Sequence, residues 1–529
     1  MRFDPVHAGR VAGVNTQIKR KGTVSMTLNT VQHIRRWLCI ALLLSFLSLS
    51  SPLLAGQDVS QIGGGGYSPP NAGPTYVTYI VRNGDSLTTI AARFGASIQT
   101  IMALNGLRNA NAIYIGQALR IPVTAPAPAP ASVAPPAAAQ PPRDGPSDKL
   151  IPDSEAVYSP AYADFDVNAV VQKFGGYLAH YSEDAEGEHM TGAQIIQIVS
   201  ERFSVGPRVL LTLLEMQGGW LTNPSVSQSA QDYPMQIDDQ NHTGLYYQVW
   251  WAANFLNAGY YGKLLSRIDG VVAKDDTHIR FAADVNPGTA AIQYMLSRVS
   301  NYDGWPSLLS TFKATYQKLW GDTAQYAIEP LVPADVKQPV LRLPWQDGQT
   351  WYYTGGPHGA WADGSAWAAV DFAPPGQGGC SGSSYWEIAA ASGRVAQAEH
   401  GRVMLNLDGN DFQGSGWTLM YMHVESEGRV QKGAPVYTGD RIGHPSCEGG
   451  FATGLHLHIA RMYNGQWMSV ASQAAFDMSG WIFKNASQEY DGAMVRGYEV
   501  HMALNGHNDR FNGIVADAGP TLVWVSDAQ

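Results

Sequence analysis

The sequence predicts a multidomain chain: a small βααβ unit, an all-α middle domain and an antiparallel all-β domain. Three observations predict it. A length of 529 residues exceeds what one hydrophobic core usually serves. A Pro/Ala-alternating run, TAPAPAPASVAPPAAAQPPRDGPSD, cannot pack a core and favours extended geometry, so it marks a boundary. Apolar spacing then changes from helical before about residue 335 to short strands and glycine-rich turns after it.

At the N-terminus, Arg35 and Arg36 precede an apolar run from Trp37 to about Leu49, followed by small residues to Ala55. This is the layout of a secretory signal over residues 1–55, with Met26 as an alternative start. The alternative fate is an uncleaved membrane tether, although the run is short for a span. No cysteine follows at the cut, which argues against a lipid anchor. Cys39 would leave with the signal. Cys380 and Cys447 then remain as an even pair in an oxidising compartment, an expected disulfide that the sequence alone leaves open. The net charge of −10 argues against nucleic acid or an anionic membrane surface as partner.

A Gly/Pro/Ser spacer covers residues 56–75. Tyr79 to Val81 reads as a short strand, Asp85 and Ser86 as caps of a helix to Phe94, Ser97 as the start of a second helix, and Ile113 to Ile121 as a returning strand. With NGDSL and IYIGQALRIP in place, this unit, bounded at 76–122, resembles the lysin motif (LysM). That family binds chains of N-acetylglucosamine between its strand–helix and helix–strand loops. The resemblance implies Gly84, Asp85, Ser86, Leu87 and Asn109 as glycan-binding residues. The Pro/Ala linker occupies 123–150.

Residues 151–335 carry apolar residues at helical spacing, as in TGAQIIQIVSERF, GPRVLLTLLEMQ and GTAAIQYMLSRV. The stretch LLEMQGGWLTNPSVSQSAQDYPMQI resembles the lysozyme-like lytic transglycosylases, which implies an all-α, lysozyme-like middle domain. The catalytic glutamate of that family falls on Gln217, and an amide cannot donate the proton that glycosidic cleavage needs. Glu215, the doubtful substitute acid, lies two residues earlier, about 200° round a helix.

From residue 336 the strand-like runs include WEIAAASGRVAQAE, GRVMLNLD, WTLMYMHV and LHLHIARM. His456 and His458 sit two apart, so a strand points both imidazoles to one face. An isolated pair of this kind is equally a solvated strand face, a packed core residue or part of a metal site. His358 and Asp371 flank a Gly/Ala-rich loop thirteen residues apart (371 − 358), and Tyr421 and His423 close another strand. A catalytic Zn²⁺ takes about three protein ligands and keeps one position for water, which two His and one Asp satisfy.

The segments GGPHGAWADGSAWAAVDF, YMH, GAPVYTGDRIG and CEGGFATGLHLHIARMYNG resemble the lysostaphin-type zinc metallopeptidases, over about Leu343 to Gln466. Within them the long His-to-Asp gap resembles the beta-lytic (staphylolytic) endopeptidase branch. Leu455 departs from the branch, where proline is commoner. The resemblance implies a metallopeptidase domain at 336–487, followed by a C-terminal β extension at 488–529. It implies one Zn²⁺ per chain held by His358, Asp371 and His458, with His423 and His456 as the catalytic pair and Tyr421 as a possible support. The expected protein is a secreted or envelope-associated monomer that binds bacterial peptidoglycan and hydrolyses its peptides, with glycine-containing cross-links as the expected target. The alternatives are a non-catalytic wall-binding scaffold and a glycan-cleaving enzyme acting through the middle domain.

Overall fold

The computed structural model describes residues 76–80, 87–94, 96–105, 118–122, 141–238, 242–376, 379–380, 382–450 and 452–517. The expected signal segment, spacer and most of the Pro/Ala linker lie outside them, as do Gly84, Asp85, Ser86 and Asn109. The chain divides into two compact units, Met1–Val133 and Ala134–Gln529. No helix among the described residues is long and apolar enough to cross a membrane.

In the first unit, strand Tyr76–Ile80 pairs antiparallel with Ala118–Pro122, with Tyr79 opposite Leu119. Helices Leu87–Phe94 and Ile98–Asn105 lie between them in sequence. Alternation sends Tyr79, Leu119 and Ile121 inward against Ile90, Ala91 and Ile101. Asn105 closes the unit: its Nδ2 donates to the Arg120 carbonyl at 2.8 Å, and its Oδ1 accepts the Arg120 N–H at 2.7 Å. Leu87 corrects the sugar-facing reading, because its side chain is buried in this core. As the first residue of its helix it anchors the helix inward.

The middle region is built on helices Val167–Phe174, Gly192–Phe203, Pro207–Gly218, Leu245–Leu264, Pro287–Ser297 and Trp305–Trp320. Thr191 and Gln194 form a capping box at the start of the second of these. Leu245–Leu264 is apolar nearly all round and correspondingly buried along its length. The expectation of an all-α domain is corrected in two places. Ser182–Ala185 and Glu188–Thr191 form a hairpin, and Arg143–Asp144, His278–Arg280 and Gly270–Val272 form a three-stranded sheet. These strands are two to four residues long and mostly polar, so they carry no period-two apolar signal. The hairpin turn is set by Glu186 and Gly187, both with positive φ (54° and 83°), the geometry of a two-residue turn.

The C-terminal region is antiparallel β. Its main sheet runs in the order Pro435–Val436, Gly393–Glu399, Arg402–Asn406, Trp417–Met422, Leu457–Tyr463, Trp367–Ala373, Thr350–Gly359 and Gly513–Val515, with Gln466–Trp467 pairing back onto Leu457–Tyr463. A four-stranded meander, Asp477–Met478, Trp481–Asn485, Gly492–Arg496 and Glu499–Met502, spans the position where the extension was expected to begin.

The two faces of the main sheet pack differently. Val370, Phe372, Val403, Leu405, Leu419, Leu457 and Ile459 point into a core closed by Trp345, Trp351, Phe476 and Phe483. Ala369, Ala396, Met404, Met420, Ala460 and Met462 point the other way, into the core that holds Val199, Phe203, Leu256 and Tyr260 of the helices. Small and flexible side chains on that face let the helices approach closely. The seam is also hydrogen-bonded. Ser204 Oγ donates to the Gly465 carbonyl at 2.6 Å, Tyr260 Oη to Gln466 Oε1 at 2.9 Å, and the Trp467 N–H to Tyr261 Oη at 2.9 Å. Buried Glu201 faces buried Arg402 across the seam at 3.5 Å. The helical region and the sheet therefore share one hydrophobic core.

Candidate metal centre

Strand pairing builds the centre. Asp371 and His458 stand opposite each other in the antiparallel register of Trp367–Ala373 and Leu457–Tyr463. They point to the same face as Ala369 and Ala460, so the site lies at the margin of the helical cover. His358 reaches it because Thr350–Gly359 slips register three times between Tyr353 and Gly359, bending that strand end toward Asp371. Gly355 is required there: a Cβ would fall 2.3 Å from Asp371 Oδ2.

The three donors converge. His358 Nε2 lies 2.9 Å from His458 Nδ1, and Asp371 Oδ1 lies 3.2 Å from His458 Nδ1 and 3.4 Å from His358 Nε2. Ligands of a tetrahedral ion at bonds of about 2.0–2.1 Å stand roughly 3.3–3.4 Å apart, so the triangle fits such an ion. The outer ring nitrogens fix the tautomers. His358 Nδ1–H donates to the Gly356 carbonyl at 2.8 Å and His458 Nε2–H to the Ala360 carbonyl at 3.0 Å. Both inner lone pairs and a carboxylate oxygen then face one point, which is repulsive unless a cation occupies it. Burial pushes His358 down to about 4 despite the pull of Asp371, which keeps the imidazole neutral and able to ligate. Burial works against the charge of Asp371, yet the adjoining His358 and His458 hold its carboxyl below the usual range.

His423 and His456 stand beside the triangle, with ring centroids 4.4 Å apart and His423 6.2 Å from His458. Each repeats the same pattern: His423 Nδ1–H donates to the Glu448 carbonyl and His456 Nδ1–H to the Gly454 carbonyl, both at 2.8 Å. Among the described residues each Nε2 has no hydrogen-bond partner, so it stays an acceptor. Burial, then His456 and His458, push His423 down to about 3, so it is a neutral base at ordinary pH.

The structure corrects the reading of Tyr421. Its ring lies in the core on the opposite face of the sheet, and its hydroxyl accepts the Ala390 N–H at 2.7 Å. The strand ends at Met422, and the φ of +68° at His423 turns the histidine away from the face that Tyr421 follows. Tyr421 therefore supports the fold and not the site. Tyr490 occupies the place the sequence did not disclose. Its ring stacks on His358 at 4.1 Å and 19°, and the Gly356 N–H donates to its carbonyl at 2.8 Å. Burial and then Asp371 push its phenol up, so it is neutral. Only its position in the extension and its aromatic character were visible beforehand, and neither points to His358.

In the helical region, Glu215 is engaged as a cap. Its Oε2 accepts the N–H groups of Leu221 and Thr222 at 2.9 and 3.1 Å, and its Oε1 accepts Thr222 Oγ1–H. The Gln217 amide has no partner among the described residues. Cys380 and Cys447 are joined in a disulfide with Cα atoms 5.6 Å apart.

Comparisons with known proteins find matches over parts of the chain. Residues 79–122 match the family described as LysM domain, and residues 149–334 match LasA, N-terminal domain. Protease LasA of Pseudomonas aeruginosa is 27% identical over 292 residues, covering 51% of this chain and 65% of that protein. The match thus spans less than two thirds of the relative's length. N-acetylmuramoyl-L-alanine amidase sle1 of Staphylococcus saprophyticus is 57% identical over 44 residues, covering 8% of this chain and 13% of that protein. Among solved structures, the M23 metalloprotease pseudoalterin from the deep sea is 23% identical, covering 31% of this chain and 96% of that one, with a TM-score of 0.27. The catalytic domain of lysostaphin from Staphylococcus simulans is 24% identical, covering 24% and 89%, with a TM-score of 0.17. The chain thus carries a match to the LysM domain and a match to the LasA N-terminal domain, and is similar over part of its length to Protease LasA. Over the middle region the match is to the LasA N-terminal domain.

Proposed function

We propose that this protein is a secreted zinc metalloendopeptidase that hydrolyses the peptides of bacterial peptidoglycan at glycine-containing cross-links. The single observation that supports it most is the convergence of His358, Asp371 and His458 beside two further imidazoles whose Nε2 atoms have no partner among the described residues. A bound Zn²⁺ would supply Lewis acidity and a water of pKa near about 7. The chain's own residues do the rest. One imidazole of the His423/His456 pair accepts the proton of the attacking water. The other, once protonated, hydrogen-bonds the developing oxyanion and passes a proton to the leaving amine. The backbone acceptors at Glu448 and Gly454 keep both rings oriented for this. A LysM domain gripping glycan would raise the local concentration of wall peptide without new contacts at the bond.

The scaffold alternative is disfavoured because every donor is present and correctly tautomerised. Glycan cleavage through the middle region is disfavoured because Glu215 is committed to its cap and position 217 is an amide. Mass spectrometry of muropeptides released from purified walls of two cross-link types tests the reading. New peptide termini at glycine bonds are expected, and zinc-loaded protein that releases none would overturn it.

A further inference from the structure

His423 adopts φ +68°, a conformation few residues other than glycine take, so the surrounding chain must hold it there. Ser446 does so twice. Its N–H donates to the His423 carbonyl at 2.6 Å and its Oγ–H donates to the same oxygen at 2.8 Å. Two residues on, the Glu448 carbonyl takes the ring proton of His423. The segment is closed on itself, since the Glu448 N–H donates to Ser446 Oγ at 3.0 Å. Short bridges flank it: Val424 pairs with Pro445, and Ser446 pairs with His456.

Cys447 is the middle residue of that segment, bonded to Cys380. Beside Cys380, the Gly379 carbonyl accepts the Leu455 N–H at 3.0 Å, the residue before His456. The disulfide therefore joins the two stretches of backbone that aim the two imidazoles. One stretch fixes the carbonyl and ring of His423. The other fixes the entry of the strand that carries His456.

We propose that Ser446 and the Cys380–Cys447 bond are positioning elements for His423 and His456, an inference that rests on the peptidase reading above. Ser446 makes its hydrogen bonds to His423 and Glu448 and none to His358, Asp371 or His458. It acts by holding a strained backbone and, through the Glu448 carbonyl, the orientation of the His423 ring. Removing its hydroxyl leaves the His423 carbonyl with one donor in place of two and frees the Glu448 N–H. The ring then loses its fixed orientation. Loss of such an outer partner costs roughly 10–100-fold in activity.

The test compares wild type, Ser446→Ala, Ser446→Thr and the Cys380→Ala/Cys447→Ala pair on a soluble glycine-rich peptide. Zinc content is measured by elemental analysis, and the imidazole N–H protons are observed by NMR. The expected result is kcat lowered by roughly 10–100-fold in Ser446→Ala and in the cysteine pair. KM and zinc content should be unchanged, activity restored in Ser446→Thr, and the protected His423 ring proton lost wherever kcat falls. A Ser446→Ala protein with wild-type kcat and a protected His423 ring proton would overturn the proposal. If Ser446→Ala does not fold, the cysteine pair carries the same comparison. If wild type cleaves no peptide, the peptidase reading falls separately, and the ring proton alone decides: its loss in the variants supports positioning, its persistence refutes it.

Discussion

His358 and His458 face each other at 2.9 Å, Nε2 to Nδ1, while the outer nitrogen of each ring already donates to a backbone carbonyl. Lone pairs so placed repel unless a cation lies between them. Removing either ring should therefore remove the metal. Purified wild type should carry one zinc per chain and His458→Ala almost none by elemental analysis; undiminished zinc in the variant would refute the ligand assignment.

His423 and His456 stand outside that triangle, so their loss should separate metal from rate. His423→Ala and His456→Ala should keep zinc and lose roughly 10²-fold or more in kcat, the usual effect of removing an acid–base group. Loss of zinc from either would move that residue into the ligand set.

Glu387 lies fully buried beside Trp345, with no hydrogen-bond partner for either carboxyl oxygen among the described residues. Burial pushes its pKa well above the ordinary 4.5, so it is neutral in the fold. The unfolded chain loses this proton above about pH 4.5 while the folded chain keeps it. Stability therefore falls by about 1.4 kcal/mol per pH unit over that window, until the folded group itself titrates. Glu387→Gln should melt higher than wild type at pH 8, and the gap should close toward pH 4. A gap that does not depend on pH would rule this out.

Glu215 holds the turn after its helix through three hydrogen bonds. Glu215→Ala should lower the melting temperature, because the Leu221 and Thr222 N–H groups lose their acceptor, and a buried donor left unpaired costs about 1–3 kcal/mol. It should leave peptide hydrolysis unchanged, and wild-type wall digests should show no new reducing or anhydro sugar ends. Sugar ends that vanish in the variant would restore a glycosidase role.

The shared core makes the sheet a poor candidate for isolation. A fragment beginning at Leu343 lacks every helix that covers Met404, Met420, Ala460 and Met462. Titration with an apolar-surface dye should show strong binding to the fragment and weak binding to the full chain. Equal binding would mean that the face closes by itself.

The grouping of His358, Asp371 and His458 was legible because each sits on a strand or beside a turn where residue type and a period of two carry the pattern. His456 and His458 declare a common face, and Asp371 falls opposite His458 by register alone. Tyr421 misled because the strand stops one residue too soon and His423 reverses direction, a backbone event with no sequence signature. The short hairpins of the middle region were silent because Ser182–Ala185 and Glu188–Thr191 are polar. The seam was silent for another reason. Alanines and methionines at alternate positions look the same whether they meet a helix or a second sheet, so nothing local announced that the helices and strands close on each other. Tyr490 was silent because it meets His358 across 132 positions (490 − 358) through a backbone contact.

The thioethers of that seam also set its chemical vulnerability. Met404, Met420 and Met462 are inaccessible while the helices sit on the sheet. A peroxide that meets the closed protein finds no sulfur there. One that catches an open molecule converts an apolar chain into a polar sulfoxide that no longer fits between helix and strand. Each oxidation removes a molecule from the closed population, so the rate of sulfoxide formation at these three positions would serve as a clock for how often the seam parts.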